Sequence, residues 1–289
     1  MATLREIRKR ITSVRSTQQI TKAMKMVAAA KMRRAQDSIL AIRPYAYTLR
    51  DLIADLTPYS IDMAGIPLME SRPVGNVLLV VVTADRGLCG AFNSNIIRRS
   101  LERITHYQDT NYSLYTVGRK GYDFFRKRDY PIQKFKINFF NDISYMDALE
   151  ISRNLISLYT ARKFDHIEIV YNEFKSAIQQ LIITEQFLPF IADATAEQER
   201  SQVDFLYEPD KIDILNEIIP KDLNIQIWRI LQESRSAEQA ARMTAMENAT
   251  SNAQEIVEDL TIFYNRSRQA TITKEISEIV GGAEALKEG

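Results

Sequence analysis

Sixty residues from Lys221 to Val280 pass without a glycine or a proline. Apolar or small side chains recur there at steps of three and four: Ile219, Leu223, Ile227 and Ile230, then Ala237, Ala241, Ala245, Ala249 and Ala253, then Ile256, Leu260 and Phe263. This spacing predicts one continuous helix, roughly 90 Å long at the α-helical rise. A compact domain has no use for such a helix. Its apolar stripe must lie along a second long element or be lost to solvent.

The opposite end of the chain supplies that element. Leu4, Ile7, Ile11, Val14, Gln18, Thr21, Lys25, Ala28, Met32, Ala35, Ile39, Ile42, Ala46, Leu49, Ile53 and Leu56 follow the alternating three-four step of a heptad seam. Pro44 falls inside the pattern and predicts a local kink in one bent helix. Gln18, Thr21 and Lys25 interrupt the apolar seam, so this portion is expected to face something besides its partner helix. Pro220 is expected to mark the true start of the last helix, and Gly281-Gly282 to lie at its tip.

Between the helices the character of the sequence changes. Pro58, Gly65, Pro67 and Pro73 mark a linker. Strands are predicted at Val77–Val82, Leu114–Val117, Ile132–Ile137, Ile167–Tyr171 and Ile178–Glu185. Helices are predicted from Asn93 to Tyr107, through Arg128, and from Tyr145 to Arg162. The first of these is expected to be capped by Asn93 or Ser94. The alternation predicts a small, mostly parallel sheet with helices on both faces. The fold class is therefore α/β: a long antiparallel coiled coil of N- and C-terminal helices with an inserted Rossmann-like α/β domain. The expected divisions are 1–57 for the first long helix, 74–190 for the inserted domain and 208–289 for the last helix.

Composition narrows the function. Apolar content of 45% and charge of 26% are those of a folded protein. The longest apolar run, Val77–Val82, falls well short of the roughly twenty residues a membrane helix needs. The lone Cys89 excludes an internal disulfide and fits a reducing compartment. Net charge is +1 but uneven, with ten Lys or Arg and the single acid Glu6 before residue 35. That basic run lacks interleaved aromatics and shares a helix with an apolar seam, so a protein-facing surface is expected rather than a nucleic-acid one.

Candidate chemistry is sparse. The turn Asp85-Arg86-Gly87-Leu88-Cys89-Gly90 joins a strand to a helix, as phosphate-binding turns do, but it has neither the dinucleotide nor the P-loop spacing. Its glycines read as tight-turn residues, with a nucleotide site as the alternative. Cys89 reads as a small buried residue, with a reactive thiol as the alternative. The Gly118-Arg119-Lys120-Gly121 loop reads as a solvated turn rather than an anion site. His106 and His166 have no second ligand at metal spacing. No catalytic residues, cofactor or metal are expected.

Several blocks resemble the γ subunits of F-type ATP synthases. They are Leu4-Arg5-Glu6-Ile7-Arg8-Lys9-Arg10-Ile11, Ile20-Thr21-Lys22-Ala23-Met24-Lys25-Met26-Val27-Ala28-Ala29, Asp85-Arg86-Gly87-Leu88-Cys89-Gly90-Ala91-Phe92-Asn93, Ser236-Ala237-Glu238-Gln239-Ala240-Ala241-Arg242-Met243 and Tyr264-Asn265-Arg266-Ser267-Arg268-Gln269-Ala270-Thr271-Ile272-Thr273-Lys274-Glu275-Ile276. The resemblance implies a non-catalytic rotor stalk inside a ring of α and β subunits. Its foot would rest with ε on the c-ring, peripheral to the cytoplasmic face of a bacterial inner membrane. It further implies that Met24, Arg242, Arg268, Gln269 and Thr273 meet β, and that Tyr207 and Glu208 face the c-ring. The dithiol pair of the chloroplast form is absent, so no thiol switch of that kind is implied. A nucleotide-binding α/β protein with helical arms, or a coiled-coil scaffold, would share the same gross pattern.

Overall fold

The computed structural model describes residues 3–56, 65–176, 179–191 and 210–285. Helices α1 (Leu4–Leu56) and α5 (Lys211–Ala285) flank β1 (Asn76–Val82), α2 (Phe92–His106), β2 (Asn111–Val117), α3 (Arg119–Arg126), β3 (Ile132–Lys136), α4 (Tyr145–Thr160), β4 (His166–Phe174) and β5 (Gln180–Leu188). The chain divides into two compact units. One comprises Met1–Val27 with Met243–Gly289, the other Ala28–Arg242.

In the Ala28–Arg242 unit the five strands lie in the order β3-β2-β1-β4-β5. Strands β3, β2, β1 and β4 are parallel, and β5 returns antiparallel along β4 as an edge. Central β1 is apolar throughout because both its faces are covered. Its Leu78, Val80 and Val82 point into a core with Ile151, Leu155 and Tyr159 of α4 and Leu215, Ile219 and Leu223 of α5. Leu79 and Val81 point the other way, against Phe92 and Ile96 of α2 and Phe125 of α3. The other edge strand, β3, is short and follows Pro131. It carries a register irregularity against β2 and bears Lys134 and Lys136, features that discourage further strand pairing.

Each α1 residue assigned to the seam is buried or half-buried, and none is exposed. Helix α1 continues through Pro44. Helix α5 departs from expectation at three places. It begins at Lys211, with Pro220 in its interior. Leu215, Ile219 and Leu223, four apart and each 0% exposed, bury one face on both sides of the proline. That packing outweighs the roughly 3 kcal/mol a helix-interior proline costs. Towards its end α5 runs on through Gly281 and Gly282, because glycine weakens a helix without forbidding it. Between these points the buried stripe shifts. Ala253 and Val257 are buried, whereas Ile256 and Phe263 are 46% and 51% exposed. The sequence Met246, Thr250, Ala253, Val257, Leu260, Tyr264 keeps the strict heptad step, which Ile256 and Phe263 do not.

Other differences are local. Helix α2 has Ala91 at its N-cap with no side-chain cap. Asn93 is occupied elsewhere, accepting from the Ala84 N–H at 2.9 Å and donating to the Cys89 sulfur at 3.2 Å. Helix α4 carries a capping box between Ser144 and Asp147. Strands β4 and β5 are longer than predicted, since Asn172, Glu173 and Gln186 stay within the ladder despite their polarity. Ile178 and Ala177 lie outside the described residues.

The turn after β1 is tied down from within. Gly118 has φ +93°, and a Cβ there would sit 2.0 Å from the Thr83 carbonyl oxygen. Gly118→Ala is therefore expected to destabilise the protein by at least about 3 kcal/mol through clash and backbone strain. Gly90 is also left-handed, at φ +56°, but nothing approaches within 4 Å, so Gly90→Ala should cost only about 1 kcal/mol. Chemical denaturation of the two variants checks the contrast.

Glu168 at the start of β4 accepts from Arg103 Nε and Nη2 at 3.0 and 2.8 Å and from the Tyr107 hydroxyl at 2.6 Å; His166 Nε2 lies 3.1 Å away. Burial alone would raise its pKa, but hydrogen bonds from His166, Tyr107 and Arg103 hold it down at about 2, against an ordinary 4.5. A carboxyl with a depressed pKa stabilises the fold above its unfolded pKa and loses that contribution as pH falls. Melting curves should show on the order of 3 kcal/mol lost between about pH 4.5 and 2, and Glu168→Gln should remove that part of the pH dependence.

Candidate functional site

The unit formed by the start of α1 and the end of α5 carries most of the residues singled out for partner binding. Its two helices are antiparallel, and polar contacts across the seam fix their register. Lys25 Nζ donates to Glu247 at 2.6 Å, the Thr21 and Thr250 hydroxyls share a bond at 2.7 Å, and Gln18 Nε2 donates to Gln254 at 2.6 Å. The polar seam residues thus bond across the pair itself. Thr21 is only 8% exposed. An apolar seam alone tolerates slippage by a turn; polar pairs across it favour one register, because a slip would break all three contacts.

This register sets where the pair ends. Leu4 lies fourteen residues before Gln18, and fourteen residues beyond Gln254 is Arg268. From 268 onward α5 has no partner in α1, and each residue from 268 to 283 is exposed. Arg268, Gln269 and Thr273 stand at the start of this free segment. Beyond them Ile272, Ile276, Ile279 and Val280 are 46–71% exposed and recur at helical spacing. These four were not picked out from the sequence. Their signal was there: they continue an apolar pattern past the last residue α1 can reach.

Met24 belongs to the same unit but to a different level. It is half-buried opposite the 247–248 turn of α5, some twenty residues and roughly 30 Å along the helix from Arg268. The structure thus groups Arg268, Gln269 and Thr273 and separates Met24 from them. The exposed faces of the pair also carry Ile20, Met26 and Val27, and the basic Arg5, Arg8, Lys9, Arg10, Arg15 and Lys22.

Arg242 lies in the other unit and is engaged internally. Its guanidinium pairs with Glu238 at 2.7 Å and donates to the Gly87 carbonyl at 3.1 Å, with 11% of the side chain exposed. Tyr207 and Glu208 lie outside the described residues.

The strand-to-helix turn is filled by its own side chains. Asp85 accepts from the backbone N–H of Arg119, Asn138 and Phe140 at 2.8–3.0 Å, and Thr83 Oγ1 accepts from the Gly121 N–H at 2.8 Å. The Lys120 N–H goes to the Ala84 carbonyl. The backbone donors at the start of α3 are thus taken by Asp85, Thr83 and Ala84. Cys89 is 1% exposed, and burial pushes its thiol pKa up despite nearby Arg242, as in an inert core cysteine. Leu88, by contrast, is 67% exposed at φ +62°, a strained placement for a bulky apolar side chain. No group of three His, Cys, Asp or Glu among the described residues is arranged to hold a metal.

The family model for ATP synthase matches residues 3–286. The chain belongs to the ATP synthase gamma chain family. It is 50% identical over 303 residues to the ATP synthase gamma chain of Chloroherpeton thalassium, covering 100% of this chain and 99% of the relative. Identity to the gamma chain of Prosthecochloris aestuarii is 47% over 293 residues, covering 99% of each. Among solved structures, the chain is similar to one of the Tetrahymena thermophila mitochondrial ATP synthase central stalk and c-ring (TM-score 0.60, 26% identity, 80% of this chain and 99% of that one). It shares the fold of a chain in the Euglena gracilis mitochondrial ATP synthase OSCP/F1/c-ring structure (TM-score 0.70, 22% identity, 98% and 94%). No helix among the described residues is long and apolar enough to cross a membrane.

The register can be tested in a Cys89→Ala background. Cysteines at 21 and 250 should form an intramolecular disulfide on mild oxidation, and cysteines at 20 and 250 should not, because Ile20 points to solvent. Non-reducing electrophoresis after proteolysis reads both.

Proposed function

We propose that this chain is the central rotor of a proton-translocating F-type ATP synthase, coupling rotation of a c-ring to conformational cycling of the catalytic β subunits. The observation that carries this reading is the free end of α5. An extended helical segment with four exposed branched apolar residues and no partner among the described residues of its own chain needs a surrounding protein surface to cover it. A ring of α and β subunits is such a surface. The solved relatives described as rotor or central stalk support the same assignment.

In this reading residues 1–57 and 208–289 form the shaft and 74–190 the foot. The foot would sit with ε on the c-ring, with Tyr207 and Glu208 facing the ring. Association with the membrane is peripheral, at the cytoplasmic face of a bacterial inner membrane. Met24, Arg242, Arg268, Gln269 and Thr273 act as polar or packing catches for β. The exposed arginines and lysines near the start of α1 pass acidic segments of the ring. The chain performs no bond chemistry and holds no cofactor.

The mechanism follows from differential contact. Three identical catalytic sites have no intrinsic reason to differ. An asymmetric shaft touches each differently, and only a difference in contact free energy can shift their conformational populations. Turning the shaft carries that bias round the ring, so nucleotide affinity at each site changes in turn.

Co-expression with α and β subunits tests the proposal. The complex should assemble, and omitting this chain should abolish the greater part of its ATPase activity; unchanged activity without it would overturn the reading. Within the complex, Arg268→Ala with Gln269→Ala should weaken assembly or coupling several-fold, on the order of 1–2 kcal/mol for two lost hydrogen-bonding groups, while Cys89→Ala should change either by much less.

A further inference from the structure

Within the Ala28–Arg242 unit a cleft of about 440 Å³ lies between α1, the β4–β5 hairpin and α5. Its size is that of a small-ligand site. Ile42, Ala46, Ile183 and Ile225 give it an aliphatic wall. Arg43, Tyr47 and Arg50 are the exposed residues of its lining and mark its mouth. They follow one another on α1 at steps of four and three, so they share one face of the helix.

The charged groups of the lining fall into two sets. Each carboxylate already has a partner. Glu173 pairs with Lys175 at 2.9 Å, and Asp222 is engaged as well. Glu185 accepts from Arg229 at 2.8 and 2.9 Å, from the Tyr171 hydroxyl at 2.7 Å and from Gln226 at 2.6 Å. Glu233 accepts from the same Arg229 at 3.4 Å. The one unpartnered buried side-chain atom of the lining is Arg229 Nε, which is a donor. Arg43 and Arg50 form the second set: neither has an ion pair or hydrogen bond among the described residues. What this cleft leaves unmatched is therefore donors and positive charge, gathered at its mouth.

We infer that the cleft binds a small amphipathic anion, an alkyl carboxylate, with its head held by Arg43 and Arg50 and its chain laid along Ile42, Ala46, Ile183 and Ile225. Two exposed arginines by themselves would be a solvated face. Here they border an aliphatic wall, so one molecule can satisfy both features at once. A guanidinium fork matches a carboxylate in shape as well as charge, and the wall offers apolar contact to the hydrocarbon. The inner end fixes the orientation. Glu185 and Glu233 share one guanidinium there, so that end keeps negative charge and repels a second carboxylate. The charged head stays at the mouth and the uncharged chain points inward.

The experiment is a calorimetric titration of the full-length chain with n-hexanoate. Three companion probes share its chain length: neutral n-hexanol, cationic n-hexylammonium, and adipate, which carries a carboxylate at each end. Saturable one-to-one binding of hexanoate is expected at a Kd of about 1 mM. Hexanol and hexylammonium should bind at least about tenfold more weakly, and adipate at least about fivefold more weakly. Arg43→Gln and Arg50→Gln, both at exposed positions that leave the core untouched, should each weaken hexanoate about fivefold, and together abolish its binding. Ala46→Phe, which fills the cleft from the α1 side, should abolish it too. No saturable binding of hexanoate, equal binding of hexanol or hexylammonium, tighter binding of adipate, or full affinity in the doubly substituted chain would each overturn the inference.

Discussion

An antiparallel helix pair must choose one register, and apolar side chains alone do not make it choose. In this chain the choice is made by Gln18–Gln254, Thr21–Thr250 and Lys25–Glu247, three polar contacts within two turns of the seam. They add little net stability, since exposed and half-exposed polar pairs contribute at most about 1 kcal/mol each. Their effect is on specificity: a slip of one turn would break all three contacts at once. The free end of α5 depends on this register. A pair slipped by a heptad would cover Arg268 and Gln269 or bare about two further turns.

The sheet unit makes the complementary point about a familiar architecture. Parallel strands with helices on both faces place backbone donors at the strand ends, where many such folds hold a phosphate. Here Asp85 occupies that place, its two oxygens gathering three N–H groups from the start of α3 and the loop before α4. This internal carboxylate ties the end of β1 to the start of α3 and the loop before α4. Gly118, pressed against the Thr83 carbonyl, shows how little slack remains there.

Much of this was legible in the sequence because it rests on periodicity. The α1 seam from Leu4 to Leu56 and the apolar run of β1 depend on which residues alternate, and alternation survives in one dimension. What was not legible depends on competition between neighbours. Asn93 has the side chain of a helix cap, but the Ala84 N–H claims it. Pro220 has the ring of a helix breaker, but Leu215, Ile219 and Leu223 hold the turn together across it. Thr21 and Lys25 look like flaws in a seam until Thr250 and Glu247 stand opposite. For the partner residues, Arg268 and Gln269 fall where α5 outruns α1, whereas Arg242 is held by Glu238 and Gly87.

A rotor reading adds one demand that burial alone does not meet. Apolar contacts are non-directional, so a helix packed only through Leu223, Ile227 and Ile230 resists being pulled from the sheet better than it resists turning about its own axis. Resistance to turning needs directional bonds reaching outward to fixed points. Helix α5 has them in arginines set six and seven residues apart: Arg229 forks onto Glu185 of β5, Arg235 donates to the Asn141 carbonyl before α4, and Arg242 donates to the Gly87 carbonyl in the turn after β1. Two of the three acceptors are backbone carbonyls, which cannot swing away as a side chain can. Arg229 and Arg242 are further braced by acids one turn along their own helix, Glu233 and Glu238. A torque on the helix would therefore be carried into the sheet unit through guanidinium bonds rather than through sliding apolar surfaces.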